Sequence, residues 1–115
     1  MTELKKLPAA FYRTASGSEP VREWLRMLDA ADRRIVGQDI ATTEFGWPVG
    51  MPVCRALGGG LFEIRSDLTK GRIARVIFCV AAGHIALRHA FTKKTRKTPR
   101  LELQLALKRK KEVIS

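Results

Sequence analysis

Hydrophobic positions along this chain change their spacing twice, dividing it into a helical start, a sheet and a helical end. Val21, Trp24, Leu25 and Leu28 recur at i, i+3, i+4 and i+7, which gathers one apolar stripe on a helix. Ser18-Glu19-Pro20 opens that helix, because proline is tolerated in a first turn and an acid there faces the positive helix end. Asp29 to Asp32 breaks or bends the chain, and Ile35, Val36 and Ile40 predict a second helix running to about Phe45. A short loop between them makes an antiparallel helix pair the simplest arrangement. Phe11 to Thr14 predicts a short strand ahead of a Ser-Gly turn, whereas Gly46 to Gly60, punctuated by Pro48, Gly50, Pro52 and Gly58-Gly59-Gly60, predicts loop and turn. Three strands are predicted next, at 61–66, 72–80 and 84–91, joined by hairpin turns at Thr69-Lys70-Gly71 and Ala82-Gly83. Thr98-Pro99 then reads as a cap and first helical residue of a last helix to about Val113, where Leu101, Leu103, Leu105 and Leu107 stand among bases.

Successive strand residues face opposite sides of a sheet. Phe62 and Ile64 therefore share one face, as do Ala74, Val76, Phe78 and Val80, and this face is expected to receive the two N-terminal helices. Glu63, Arg65, Ile73, Arg75 and Ile77 point the other way, so Arg65 and Arg75 are expected to form a concavity that grips phosphate beside the basic turn. Alternation groups His89 with Ile85, Leu87 and Phe91, which buries it unless a bulge near the strand end re-aims it. Trp24 and Leu28 read as core, and Trp47 as cover for the core edge.

Composition narrows the class. With 115 residues, 45% of them hydrophobic and 29% charged, the chain fits one soluble domain over 1–115 and is not a disordered polyelectrolyte. Its longest apolar run, Val76 to Ala82, is far short of a membrane span, and the start Met1-Thr2-Glu3-Leu4-Lys5 has no signal-peptide core. Cys54 and Cys79 make no disulfide framework and are read as reduced, which places the protein in a cytoplasm. No metal or other cofactor is expected. The cysteines lack ligand spacing, and under strict alternation His84 and His89 face opposite sides.

The charge is concentrated rather than spread. Between Thr92 and Lys111 stand nine bases (Lys93, Lys94, Arg96, Lys97, Arg100, Lys108, Arg109, Lys110 and Lys111) and one acid, Glu102, so this segment carries +8 of the formal net charge of +11. Clustered Lys and Arg displace the counterions condensed on phosphates, which makes nucleic acid the first partner to consider. Lys108 to Lys111 is read as a solvated helix end that adds to this field.

Several short motifs in order carry a resemblance. Val21-Arg-Glu-Trp-Leu25, the triple glycine, Gly60-Leu-Phe-Glu-Ile-Arg65, Arg75-Val-Ile-Phe78, Leu87-Arg-His-Ala-Phe-Thr-Lys-Lys-Thr95 and Lys97-Thr-Pro99 resemble the phage-derived branch of the RelE/HigB toxin superfamily. The resemblance implies an α+β fold of RelE type, with two N-terminal helices packed on a small antiparallel sheet and a basic C-terminal helix. It also implies a bacterial type II toxin–antitoxin toxin that cleaves mRNA, commonly on the ribosome. A cognate antitoxin of helix-turn-helix type is expected to hold the toxin inactive in a hetero-oligomer, away from any membrane. Position by position it marks Arg65, Arg75 and the Lys93-Lys94 pair, and His89 is the position that matches a histidine acid/base. Tyr12 is the only tyrosine and lies near the N-terminus, so the identity of the general acid stays open.

The chemistry asks for such residues. In RNA cleavage the ribose 2′-OH attacks the adjacent phosphate, so an enzyme must take that proton, stabilise a crowded anion and protonate the leaving 5′-oxygen. Arginine suits the anion because it is permanently charged and grips two oxygens at once. Arg75 is thus assigned to the transition state, Arg65 to orienting the phosphodiester, His89 to acid/base work, and Lys94 to acid/base work or to the grip on a neighbouring phosphate. Lys93, Arg96, Lys97 and Arg100 are assigned to neighbouring phosphates. Two other functions fit the same chain: a non-enzymatic ParE-like toxin that poisons a protein target such as DNA gyrase, and an inactive RNA- or ribosome-binding module.

Overall fold

The computed structural model describes residues 6–93 and 100–112. It is α+β: three helices and one five-stranded sheet. The first strand, β1, is Ala9–Phe11, followed by helices α1 (Pro20–Met27) and α2 (Ala30–Gly46). Strands β2 (Cys54–Gly58), β3 (Leu61–Asp67), β4 (Ile73–Ala81) and β5 (His84–Lys93) follow, and α3 (Arg100–Glu112) closes the described chain. None of these helices is long and apolar enough to cross a membrane.

The sheet runs β1-β5-β4-β3-β2 and is mixed, not antiparallel as expected. Three antiparallel ladders join β2 to β5, but β1 pairs with β5 in parallel, Ala9 opposite Ile85 and Phe11 opposite Leu87. A three-residue strand has no hairpin partner to set its direction, so distant anchors set it. Glu44, near the end of α2, accepts the Ala9 N–H on its side chain at 2.7 Å and the Leu7 N–H on its backbone at 3.1 Å. This strand also starts two residues before the predicted Phe11.

A further strand, β2, occupies part of the stretch predicted as loop. Its hairpin with β3 closes through Gly58, Gly59 and Gly60, all in the left-handed region (φ 90°, 63° and 78°), where other residues are strained. The glycines have a second use. A Cβ on Gly60 would come 2.9 Å from Lys110 Nζ, and that ammonium donates to the Gly59 carbonyl at 2.9 Å. The turn thus leaves room for α3 to rest on it.

Both faces of the sheet are covered. On one, Val21 from α1 and Val36 and Ile40 from α2 pack with Ile64, Ala74, Val76, Phe78, Ile85 and Leu87. Trp24, Leu28 and Trp47 pack against this core, and Trp47 meets Phe62 and Phe78 edge-on, ring centres 4.8 and 5.3 Å apart. Val80 shares the parity of Phe78 but lies beyond the helices, 41% exposed. The opposite face, predicted to be open, holds a second core of Leu61, Ile77, Cys79, Ala86 and Phe91 under Ala106, Leu103 and Leu107 of α3. Leu61 and Ile77 are completely buried, and burial of this kind stabilises by about 1.5–3 kcal/mol per side chain. Leucines at 103 and 107 and alanine at 106 therefore dock α3 as a third layer, although the stripe is narrow enough to leave Leu101 78% exposed.

Candidate functional site

A bulge decides where His89 lies. Ile77 pairs with His89 but Phe78 pairs with Leu87, so Arg88 is the extra residue of β5. Without it, His89 would join Ile85 and Leu87 beneath the helices. With it, His89 and Phe91 turn to the α3 side, opposite Ile77 and Arg75. The bulge also puts His84 on the same side as His89, contrary to strict alternation, but at the other end of the strand. Among the described residues, no three His, Cys, Asp or Glu side chains are grouped as a metal site.

Arg65 and Arg75 are directly opposite each other in the β3–β4 ladder. Their surroundings differ. Arg75 is fully buried and donates from Nη1 to Glu63 Oε1 at 2.7 Å, and the same oxygen takes Arg55 Nη2 at 3.0 Å. Burial pulls the Arg75 guanidinium below its usual pKa, Glu63 opposes that, and neighbouring Arg65 and Arg55 add to it. The expected open concavity is thus closed over Arg75, because its flanking apolar residues carry the second core. Arg65 is half-buried on a polar cleft of about 330 Å³ between Ile35 and Asp39 of α2, Pro52-Val53 and Asp67. Its Nε has no hydrogen-bond partner among the described residues. Glu63 thus holds two guanidinium groups, Arg55 and Arg75, with the positive charge of Arg65 close by, while Asp39 and Asp67 border the cleft itself.

His89 is held by α3. Its Nε2 lies 2.5 Å from Glu102 Oε2, and its Nδ1 lies 3.0 Å from Arg109 Nη1. Arg109 also donates to the Arg88 carbonyl at 3.1 Å and stands 5.1 Å over the Tyr12 ring. Arg88 itself is buried, with Nε against Cys79 Sγ at 3.5 Å. The helix end predicted as solvated is therefore split: Lys108 and Lys111 are exposed, but Arg109 and Lys110 bond into the fold.

Of the predicted phosphate-binding residues, Lys93 ends β5 and Arg100 begins α3, both exposed. Lys94, Arg96 and Lys97, with the Thr98-Pro99 cap, fall outside the described residues. The structure thus brings Arg65, Arg75 and His89 onto one sheet face. It adds Arg55, Glu63, Glu102 and Arg109, which sequence reasoning missed. Glu102, Ala106 and Arg109 stand at i, i+4 and i+7, a spacing that could have placed them on one stripe.

Residues 23–111 match the family model described as phage derived protein Gp49-like (DUF891). No curated protein matches the chain.

Proposed function

The chain belongs to the phage-derived Gp49-like family, a RelE/ParE-like toxin–antitoxin family, and we propose that it is a toxin of HigB-like type that cleaves mRNA, on the translating ribosome, until a cognate antitoxin masks it. One observation carries the reading: the Arg88 bulge puts His89 on the face that holds the Arg65–Arg75 pair. Acid/base and anion-stabilising groups then share a surface whose end presents Lys93 and Arg100. The reaction takes its nucleophile, the 2′-OH, from the substrate itself and asks the protein for proton transfer and charge stabilisation.

In this reading Arg65 grips the scissile phosphate from the sheet face that it shares with Arg75 and His89. Arg75 acts from beneath through its positive field, anchored by Glu63. Lys93, Lys94, Arg96, Lys97 and Arg100 follow the flanking phosphates, and His89 moves the proton. The antitoxin, a helix-turn-helix protein with an acidic segment, covers the cationic face in a hetero-oligomer.

The test is cleavage of a defined mRNA in a translating extract, mapped by primer extension, for wild type, Arg65→Ala and Arg75→Ala. New in-frame cuts that require ribosomes are expected. They should weaken about 10²–10³-fold in Arg65→Ala. Arg65 is the cleaner probe, because truncating Arg75 leaves the Glu63 charge buried and costs stability. Wild-type cleavage undiminished in Arg65→Ala counts against the assignment. The depth of Arg75 favours a second reading, a non-enzymatic ParE-like poison of a protein target. Inhibition of DNA supercoiling without any RNA cut decides for that alternative.

A further inference from the structure

Arg109 can only donate hydrogen bonds, so its contact makes His89 Nδ1 an acceptor and leaves the ring proton on Nε2. That proton faces Glu102 at 2.5 Å. α3 therefore selects one neutral tautomer of the histidine and supplies a carboxylate behind it, the arrangement by which an acid orients a catalytic imidazole and steadies its protonated form. From β4 the facing residue is Ile77, and along β5 the Phe91 ring stands 5.7 Å away. Among the described residues, the charged groups in contact with the ring are Glu102 and Arg109.

Arg109 is the unusual member. Its partners are a carbonyl oxygen, a ring nitrogen and a tyrosine face, with no carboxylate within ion-pair distance among the described residues. A guanidinium held by neutral groups is poised to exchange them for an anion, and phosphate offers shorter, charge-assisted bonds. On the nuclease reading, we infer that Glu102 is the positioning residue of His89, and that Arg109 is a phosphate ligand whose capture by RNA uncovers Nδ1.

The step then balances. The 2′-oxygen forms its bond to phosphorus as its proton passes to Nδ1. The P–O5′ bond breaks with its electron pair on O5′, which takes the proton back from the imidazolium. The products are a 2′,3′-cyclic phosphate and a 5′-hydroxyl, with His89 neutral again. Glu102 holds the Nε2 proton throughout and stabilises the transient cation.

Two measurements on the full chain test this. Nitrogen-15 spectra of histidine-labelled free protein read the tautomer. Steady-state cleavage of the mapped RNA compares wild type with Glu102→Gln, Glu102→Asp and Arg109→Lys. Expected are a His89 ring protonated at Nε2, a fall of about 10²-fold or more in kcat for Glu102→Gln with KM little changed, and partial rescue by Glu102→Asp. Arg109→Lys should raise KM more than it lowers kcat. An Nδ1-protonated ring in wild type, or equal kcat in Glu102→Gln, overturns the inference while leaving the nuclease standing. If Glu102→Gln does not fold, Glu102→Asp with wild-type kcat and KM serves as the same refutation. A wild-type protein that cuts no RNA overturns the nuclease reading itself.

Discussion

At the scale of single residues, the same side-chain type does different work according to what surrounds it. Arg65 and Arg75 are register partners, yet one borders a cleft and the other is sealed against Glu63. A buried ion pair adds little net stability, but losing one partner strands the other charge. Asp32 shows a structural carboxylate in comparison. It is 1% exposed and accepts from the Thr69 backbone N–H and the Thr69 hydroxyl, both at 3.0 Å, and pairs with Arg72, tying α2 to the β3–β4 turn. The Thr69 backbone bond lowers its pKa from the usual 3.8, burial opposes, and the Thr69 hydroxyl and Arg72 add to the lowering. A lowered carboxylate stabilises the fold above its unfolded pKa and loses that contribution as pH falls through the folded value. Stability measured by urea unfolding should therefore decline below about pH 4 in wild type. Asp32→Asn should start lower at neutral pH and show a flatter acid limb. Equal slopes in the two proteins would remove Asp32 from the account.

At the scale of elements, the bulge in β5 and the docking of α3 matter most. One extra residue, Arg88, reverses the facing of everything after Leu87, and so moves His89 from the helix-packed core to the candidate site. α3 then closes over that site through Leu103, Ala106 and Leu107, with Lys110 on the glycine turn and Arg109 on β5. Ala106 is fully buried, so a charge there has no room and no partner. Ala106→Glu is expected to undock α3. Amide exchange should then lose protection along α3, while the central strands β4 and β5 keep theirs. Protection unchanged in α3 would show that the helix is not held by this contact. Truncating α3 would test less, because it removes Glu102 and Arg109 along with the packing.

At the scale of the whole molecule, net charge governs encounter. A formal +11 draws any polyanion from a distance, and releases counterions where phosphates are neutralised. Binding of single-stranded RNA should therefore weaken with salt, log K against log salt falling by about 0.7 for each phosphate contacted. Replacing Lys93 or Arg100 by alanine should make that slope shallower by roughly one contact each. A slope unchanged by both substitutions would place RNA elsewhere on the surface. On the proposed function, the same concentration of charge would give an antitoxin its handle, an acidic segment competing for the face that RNA would use.

Much of this was legible in the chain because local rules govern it. The stripe from Val21 to Leu28, the hairpin turns and the sheet face of Phe62, Ile64, Val76 and Phe78 follow from spacing alone, since side-chain direction is set by a helix or strand period. The cross-strand neighbours Arg65 and Arg75 also follow, because a short hairpin pins its register. What only the tertiary structure decided depends on contacts far apart in sequence. The direction of β1 rests on Glu44, and β2 exists because β3 offers it an edge, a pairing that the surrounding prolines and glycines obscure. The burial of Arg75 rests on Glu63 and on the second core formed with α3. The clasp on His89 by Glu102 and Arg109 rests on a bulge and a docked helix together, and no period in the sequence encodes where two surfaces meet.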